Sequence, residues 1–171
     1  MTATYRVMIV CTGNICRSPM AQVVLAERLR RAGPADVAVD SAGISDEEHG
    51  NPIDPRAARV LAAHGYPVPA HRAKRITAAD LAERDLVLAM TSSHARAVRL
   101  LARGDDALSG RVRMYRGFDP SAGTEGPEHL LDMDDPWSGD EAGFEVTLAQ
   151  IEAAADAVVE HVREALAARG H

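Results

Sequence analysis

The N-terminal residues of this chain show a pattern that strongly constrains its fold. An apolar run with β-branched residues covers residues 5–11 and is followed by small and turn-forming residues at 12–14. Ser18 and Pro19 suit the cap and first turn of a helix, whose apolar face continues to Gly33. The pattern predicts a buried strand that passes through a tight loop directly into a helix.

The same strand-then-helix order repeats along the chain. Further strands are predicted over 37–42, 85–90 and 112–115. Helices are predicted over 55–65, near 77–81, over 92–102 and over 141–168. This alternation implies an α/β fold with a four-stranded parallel sheet and helices on both faces. Ligands of such sheets bind beyond the carboxyl ends of the strands, and the first predicted strand ends at Cys11.

The 171 residues, 46% of them hydrophobic, suit one core, and no linker or repeat divides them. We therefore predict a single domain over 1–171.

The apolar stretch at 7–10 is far too short for a signal peptide or a membrane span, so we expect a cytoplasmic protein with no membrane contact. The net charge of −6 and the lack of a basic stripe argue against nucleic acid as a partner. We expect a monomer or a weak homodimer.

The loop at 11–18 has the spacing C-x5-R-S, and each part of it suits anion binding. Its glycine and asparagine tolerate the turns that point successive N–H groups inward, and the following helix adds its positive N-terminal dipole. This field favours a thiolate at Cys11, and Ser18 can donate a hydrogen bond to the sulfur. Arg17 presents a planar fork that matches two phosphate oxygens. The loop therefore predicts a cysteine nucleophile in a phosphate site.

Nucleotide and metal chemistry find no support in the sequence. Neither G-x-x-x-x-G-K-[ST] nor G-x-G-x-x-G is present. Asp132 and Asp134 could suggest a metal site, because hard cations bind carboxylate oxygens, but no second ligand cluster accompanies them. We predict no metal and no cofactor.

The stretch VCTGNICRSPMA at 10–21 resembles the active-site signature of the low-molecular-weight protein tyrosine phosphatases. The resemblance covers nearly the whole chain, because further segments follow in family order: Asp40-Ser41-Ala42-Gly43, Asp54-Pro55-Arg56-Ala57, His64-Gly65, His71-Arg72-Ala73 and Asp135-Pro136-Trp137. It implies the flavodoxin-like strand order 2-1-3-4. It also implies metal-free hydrolysis of phosphotyrosine and aryl phosphates, with phosphotyrosine-containing proteins as substrates.

The resemblance also implies a role for each site residue. Cys11 would form a phosphocysteine, Arg17 would bind the phosphate, and Asp135 would protonate the leaving phenolate. Spacing alone leaves Asp135 open among the neighbouring aspartates. Asn14 would hold the loop in its conformation. In family members this asparagine is supported by a serine and a histidine, which correspond here to Ser41 and His71. The other predicted residues of the phosphate loop are Thr12, Gly13, Ile15, Cys16 and Ser18.

Four residues bear on substrate preference and on redox behaviour. Trp137 stands where the family places an aromatic wall for the phenyl ring. Glu47 and Glu48 occupy a loop where other members often carry an opposite aromatic wall, and such an acidic rim should disfavour acidic phosphopeptides. The resemblance also implies that Cys16 can trap an oxidised Cys11 as a disulfide.

Two other functions stay open on the sequence. An arsenate reductase of the same fold needs additional cysteines near the third strand, and residues 80–95 contain none. A phosphate- or phosphopeptide-binding module without turnover would not need both the nucleophile and the acid.

Overall fold

The computed structural model describes residues 3–123 and 125–170, which form a single α/β domain around one four-stranded sheet. The strands are β1 (Tyr5–Cys11), β2 (Val37–Gly43), β3 (Leu86–Ala89) and β4 (Val112–Met114). Their order is β2-β1-β3-β4, and each neighbouring pair is parallel. The predicted fold class and strand order are confirmed.

Strand β1 lies in the interior of the sheet and sets the position of its carboxyl edge. Every residue of β1 except Arg6 is buried, as expected for a parallel strand with neighbours on both sides. The register places Cys11 opposite Gly43 of β2 and Val10 opposite Ala89 of β3. The loops that follow β1, β2 and β3 therefore leave the sheet side by side.

The α-helices of the described residues are α1 (Arg17–Ala32), α2 (Pro55–Ala63), α3 (Ala78–Glu83), α4 (Ser92–Leu100), α5 (Asp106–Ser109) and α6 (Glu141–Arg169). Alternate residues of β1 pack against α1, α2 and α6 on one face of the sheet and against α3 and α4 on the other. Helices on both faces are thus confirmed. Among the described helices, none combines the length and apolarity that crossing a membrane requires.

Helix α1 begins differently from the prediction. Its first residue is Arg17, and the capping position is Cys16, whose side chain caps no backbone group. Ser18 is therefore not the cap: it lies one residue inside the helix, and its hydroxyl contacts Cys11 and Asn14 instead.

The predicted loop over 117–139 contains short 3₁₀ turns at Glu128–Leu131 and Pro136–Ser138. A further 3₁₀ turn, Tyr115–Phe118, follows β4. Helix α5 is missing from the sequence prediction, because a four-residue helix is too short to show a periodic pattern.

A partly buried ion cluster ties the edge strand β2 to the end of α3. Asp40 accepts hydrogen bonds from Arg84 Nη2 (2.6 Å) and Lys74 Nζ (3.0 Å). Burial alone raises the pKa of Asp40, but these two cationic donors outweigh it and hold the pKa below its ordinary value. Without Asp40, the buried Arg84 side chain retains only contacts of 3.7 Å to Asp80 and Glu83.

Replacing this carboxylate by an amide should destabilise the fold. We expect Asp40→Asn to lower the free energy of unfolding by about 2 kcal/mol, because a buried guanidinium loses its main counter-charge. Urea unfolding at pH 7 measures the change. The matched control Lys74→Met removes the more exposed partner of the same carboxylate and should cost less than about 1 kcal/mol. Equal losses of unfolding free energy in the two variants would contradict the inference that Arg84 is the dominant partner of Asp40.

Candidate active site

The carboxyl edge of the sheet opens into a cleft of about 180 Å³. Its walls come from the loop after β1, the loop after β2 and the segment before α6. The lining residues are Cys11, Thr12, Gly13, Ile15, Cys16, Arg17, Glu47, Glu48, Asp135 and Trp137. The predicted site residues outside this lining are Asn14, Ser18, Ser41 and His71.

Asn14 holds the loop after β1 in its curved conformation. The residue is fully buried, and its φ of 62° lies in the left-handed region that asparagine tolerates better than most residues. Its Nδ2 donates to Ser18 Oγ (2.8 Å) and Ser41 Oγ (2.9 Å), and its Oδ1 accepts from the backbone N–H of Lys74 (3.1 Å). His71 Nε2 lies 2.6 Å from the Asn14 carbonyl oxygen. The fold therefore brings Ser41 to the Asn14 side chain and His71 to its backbone.

The backbone of the same loop uses its carbonyl groups and leaves N–H groups free. Besides the Asn14 carbonyl that His71 contacts, three carbonyls accept bonds from backbone N–H groups of neighbouring segments: Cys11 from Ile44 (3.0 Å), Thr12 from Ser45 (3.1 Å) and Ile15 from Asp54 (2.8 Å). Within the described ranges, the backbone N–H groups of residues 13–16 donate to no protein acceptor. Together with the N-terminus of α1, these donors form a cradle for an anion.

Gly43 allows β2 to approach this loop closely. A Cβ at that position would lie 2.5 Å from the Thr12 carbonyl oxygen, which no side chain tolerates. The glycine after Ala42 is therefore a requirement of the site.

Cys11 lies at the base of the cleft, at the end of β1. It is 2% exposed, and its Sγ lies 3.0 Å from Ser18 Oγ. Ser18 Oγ accepts a hydrogen bond from Asn14, and its own proton can reach two acceptors, the Cys11 sulfur at 3.0 Å and the more distant Ala42 carbonyl oxygen at 3.4 Å. This contact suits stabilisation of a thiolate.

Arg17 is a buried cation whose guanidinium links two sides of the cleft. Its Nη1 donates to the Met133 carbonyl (2.8 Å), and its Nη2 lies 3.4 Å from Asp135 Oδ2 and 3.4 Å from Thr12 Oγ1. Its Nε is buried and has no hydrogen-bond partner among the described residues. Because Arg17 also lines the cleft, this unpaired N–H is a donor available to a ligand there.

The geometry separates the aspartates that spacing leaves equivalent. Asp135 lines the cleft and is half exposed, and its Oδ1 accepts from the backbone N–H of Trp137 (3.1 Å). Asp132 instead accepts from the backbone N–H of Ser92 at the start of α4 (2.6 Å). Neither Asp132 nor its exposed neighbour Asp134 lines the cleft. Only Asp135 among them is placed to meet a leaving group there.

Trp137 and the two glutamates Glu47 and Glu48 lie on the rim of the cleft. Trp137 is 57% exposed, so its ring presents a free face beside the cleft. Arg56 Nη2 donates a hydrogen bond to the Trp137 carbonyl oxygen (2.9 Å). Asn51 Nδ2 donates one to Glu48 Oε2 (2.7 Å). Glu47 is exposed on the same rim.

Cys16 lines the cleft and is buried. Burial raises the pKa of the Cys16 thiol, and the charges of Asp54, Cys11 and Asp135 raise it further, while Arg56 opposes them. The side chain is therefore a neutral thiol at neutral pH. Both cysteines are free.

Metal binding has no candidate among the described residues, where no group of three or more His, Cys, Asp or Glu side chains could hold an ion. Asp132, which the sequence offers as a metal ligand, caps the α4 region instead.

Three residues at the site escape prediction from sequence. His94 contacts Thr12 from α4 (2.8 Å), and Thr91 caps α4 by accepting from the His94 backbone N–H (3.2 Å). Arg56 supports the Trp137 segment. Arg56 falls in a motif noted in the sequence, Asp54-Pro55-Arg56-Ala57, whereas no local signal distinguishes His94.

Comparison with known proteins gives consistent matches along the chain. The family described as "Low molecular weight phosphotyrosine protein phosphatase" matches residues 6–168. The chain is 46% identical over 171 residues to the low molecular weight protein-tyrosine phosphatase A of Mycobacterium tuberculosis, covering 99% of each protein. It is 43% identical over 168 residues to the low molecular weight protein-tyrosine-phosphatase of Streptomyces coelicolor, covering 97% of this chain and 98% of that protein.

A solved structure agrees with these matches. Wzb of Vibrio vulnificus, crystallised in complex with benzylphosphonate, superposes with a TM-score of 0.75 at 27% identity and covers 93% of this chain and 99% of its own. With a family match over almost all of its length and relatives above 40% identity, this chain belongs to the low molecular weight phosphotyrosine protein phosphatase family.

Proposed function

We propose that this protein hydrolyses phosphotyrosine and aryl phosphate monoesters through a phosphocysteine intermediate, with phosphotyrosine-containing proteins as its substrates. The observation that carries the proposal is the combination of Cys11 with unpaired N–H donors, from Arg17 Nε and from residues 13–16, in one cleft. The benzylphosphonate bound by the related Wzb protein combines an aromatic ring with a phosphorus oxyanion, the same two features as an aryl phosphate.

In the first step, the Cys11 thiolate attacks phosphorus and the bond to the phenolic oxygen breaks. Ser18 stabilises the sulfur through its hydroxyl, while Arg17 and the loop N–H groups stabilise the charge on the three equatorial oxygens. Asp135 donates its proton to the leaving phenolate. The loop and arginine supply the charge stabilisation that a metal ion supplies in other phosphatases.

In the second step, water attacks the phosphocysteine. Asp135, now a carboxylate, removes the proton of this water, and Cys11 leaves as a thiolate with inorganic phosphate as the product. The aryl ring of the substrate packs on the exposed face of Trp137.

Two substitutions test these roles directly. We expect Cys11→Ser to abolish hydrolysis of 4-nitrophenyl phosphate, because the hydroxyl is a far weaker nucleophile in this setting. Asp135→Asn should lower kcat roughly 10²- to 10⁴-fold. The loss should be greater with phenyl phosphate than with 4-nitrophenyl phosphate, because the more basic phenolate needs the proton more. Mass spectrometry of the acid-quenched Asp135→Asn variant should detect one phosphate on Cys11.

The matched control is Asp134→Asn, which changes an exposed carboxylate one residue away and outside the cleft lining. It should keep kcat within about twofold of the wild type. Phosphate binding without turnover by the wild type would leave the binding module as the function. An arsenate reductase relay remains disfavoured, because residues 80–95 hold no cysteine.

The acidic rim predicts a preference among phosphopeptides. At low salt, peptides with Lys or Arg beside phosphotyrosine should show several-fold higher kcat/KM than peptides with Glu, because Glu47 and Glu48 flank the cleft. The preference should shrink in the Glu47→Gln/Glu48→Gln variant and at high salt. Asp46→Asn, which removes one negative charge next to Glu47 but outside the cleft lining, should leave most of the preference in place. Equal kcat/KM for the two peptide sets would exclude this role of the rim.

We also propose that peroxide converts Cys11 to a sulfenic acid and that Cys16 then forms a disulfide with it. Cys16 attacks as a thiolate, the new S–S bond forms, and hydroxide leaves from Cys11. Because burial raises the pKa of Cys16, only a small fraction of this thiol is ionised at neutral pH. Ring closure should therefore be slow there.

The pH dependence of this step has a definite sign. After a peroxide pulse at pH 6 and removal of the peroxide by catalase, a jump to pH 7, 8 or 9 should speed disulfide formation by about tenfold per pH unit, because the thiolate fraction rises in that proportion below the pKa. Mass spectrometry of alkylated digests follows the Cys11–Cys16 link. With peroxide left in place and no catalase added, the Cys16→Ser variant should proceed to sulfinic acid, because a second equivalent of peroxide oxidises the sulfenic acid that no thiol traps. A rate independent of pH, or no link at all, would refute the proposal.

A further inference from the structure

A buried histidine that the mechanism above does not use lies directly beneath the phosphate loop. His94, in the first turn of α4, is 3% exposed, and its Nε2 lies 2.8 Å from Thr12 Oγ1. Its backbone N–H is held by the capping hydroxyl of Thr91 (3.2 Å). The ring is thus fixed between the helix and the residue that follows the nucleophile.

His94 is neutral at physiological pH. Burial lowers its pKa to about 4, the charge of Arg17 acts in the same direction, and Asp132 and Asp135 oppose the shift. A neutral imidazole carries one proton, so one ring nitrogen donates and the other accepts.

The surroundings of the ring select the nitrogen that carries this proton. Nδ1 is buried and has no hydrogen-bond partner in the described ranges. An unpaired N–H in such a place is costlier than an unpaired acceptor. Nε2 has a partner in Thr12, so the proton belongs on Nε2 and is donated to Thr12 Oγ1.

Thr12 Oγ1 then accepts from two donors, His94 Nε2 and Arg17 Nη2, the latter at 3.4 Å. A hydroxyl oxygen has two lone pairs, and both are used by these donors. Its own proton must therefore find another acceptor. Thr12 lines the cleft next to Cys11, where the proposed function places a phosphoryl group.

We propose that His94 is a positioning residue that turns the Thr12 hydroxyl into a hydrogen-bond donor to the bound phosphoryl oxygens. The proposal rests on the proposed function for the identity of the ligand. The Thr12 hydroxyl would then be a side-chain donor in addition to the backbone N–H groups of the cradle. Its orientation would be set by His94, in the helix α4 that follows β3.

The protonation state of His94 is tested without any ligand. Long-range ¹H–¹⁵N spectra at pH 7 should show a neutral ring protonated on Nε2, assigned by its absence from the spectrum of the His94→Gln variant. A ring protonated on Nδ1, or a charged ring, would overturn the proposal.

The effect on the ligand is tested by calorimetric titration with inorganic phosphate. Relative to the wild type, Thr12→Val and His94→Phe should each weaken binding by about tenfold, the typical loss of one hydrogen bond to a charged group. His94→Gln, whose side-chain amide can also donate, should recover most of the affinity. The double variant Thr12→Val/His94→Phe should bind no more weakly than Thr12→Val, because His94 acts through Thr12.

Additive losses in the double variant, or wild-type affinity in His94→Phe, would refute the positioning role. Circular dichroism establishes that each variant is folded, and His94→Gln together with Thr12→Val keeps the test open if His94→Phe does not fold. Because both readouts are independent of turnover, failure of this proposal is distinguishable from failure of the proposed hydrolysis, which the 4-nitrophenyl phosphate assay reports.

Discussion

The left-handed backbone of Asn14 is the constraint on which the site depends. A φ of 62° places Asn14 in the left-handed region between β1 and α1, and turns with a left-handed residue are those that can direct successive N–H groups to one side. This conformation is unfavourable for a residue with a side chain, and it persists because Ser18, Ser41 and the Lys74 backbone bind the Asn14 amide. The same contacts fix the Ser18 hydroxyl against Cys11. One set of interactions therefore positions both the loop and Cys11, the proposed nucleophile.

The second half of the cleft depends on strand order. Because β3 lies next to β1, the residues that follow β3 come within reach of the loop that follows β1. The Met133 N–H donates to the Met90 carbonyl (2.9 Å), and the Met133 carbonyl accepts from Arg17. These two bonds bring Asp135 to the cleft, although Asp135 lies 118 positions after Arg17 in the sequence. The His94 ring reaches Thr12 from the same side of the sheet.

The fold itself was largely predictable from local patterns. The alternation of apolar runs with amphipathic segments implies a parallel sheet, and the strand order β2-β1-β3-β4 agrees with the family resemblance. The details that local patterns missed have a common cause, because tertiary contacts decide them. Ser18 has the sequence features of a helix cap, yet the sulfur of Cys11 and the amide of Asn14 compete for its hydroxyl. Short elements such as α5 leave too few residues for a periodic signal.

For the site, the sequence by itself determined the candidates whose chemistry lies within one loop: Cys11 and Arg17 are marked by spacing, because strand, loop and helix are contiguous. Spacing alone left Asp135 and Asp132 equivalent and the family resemblance favoured Asp135; the tertiary structure supplies the physical difference, because Asp135 lies 3.4 Å from Arg17 whereas Asp132 accepts from the Ser92 backbone N–H. The same holds for His94, an ordinary helical histidine in the sequence that becomes a buried partner of Thr12 in the fold. The physical reason is that hydrogen bonding and burial between distant segments depend on how strands are arranged, which no local pattern encodes.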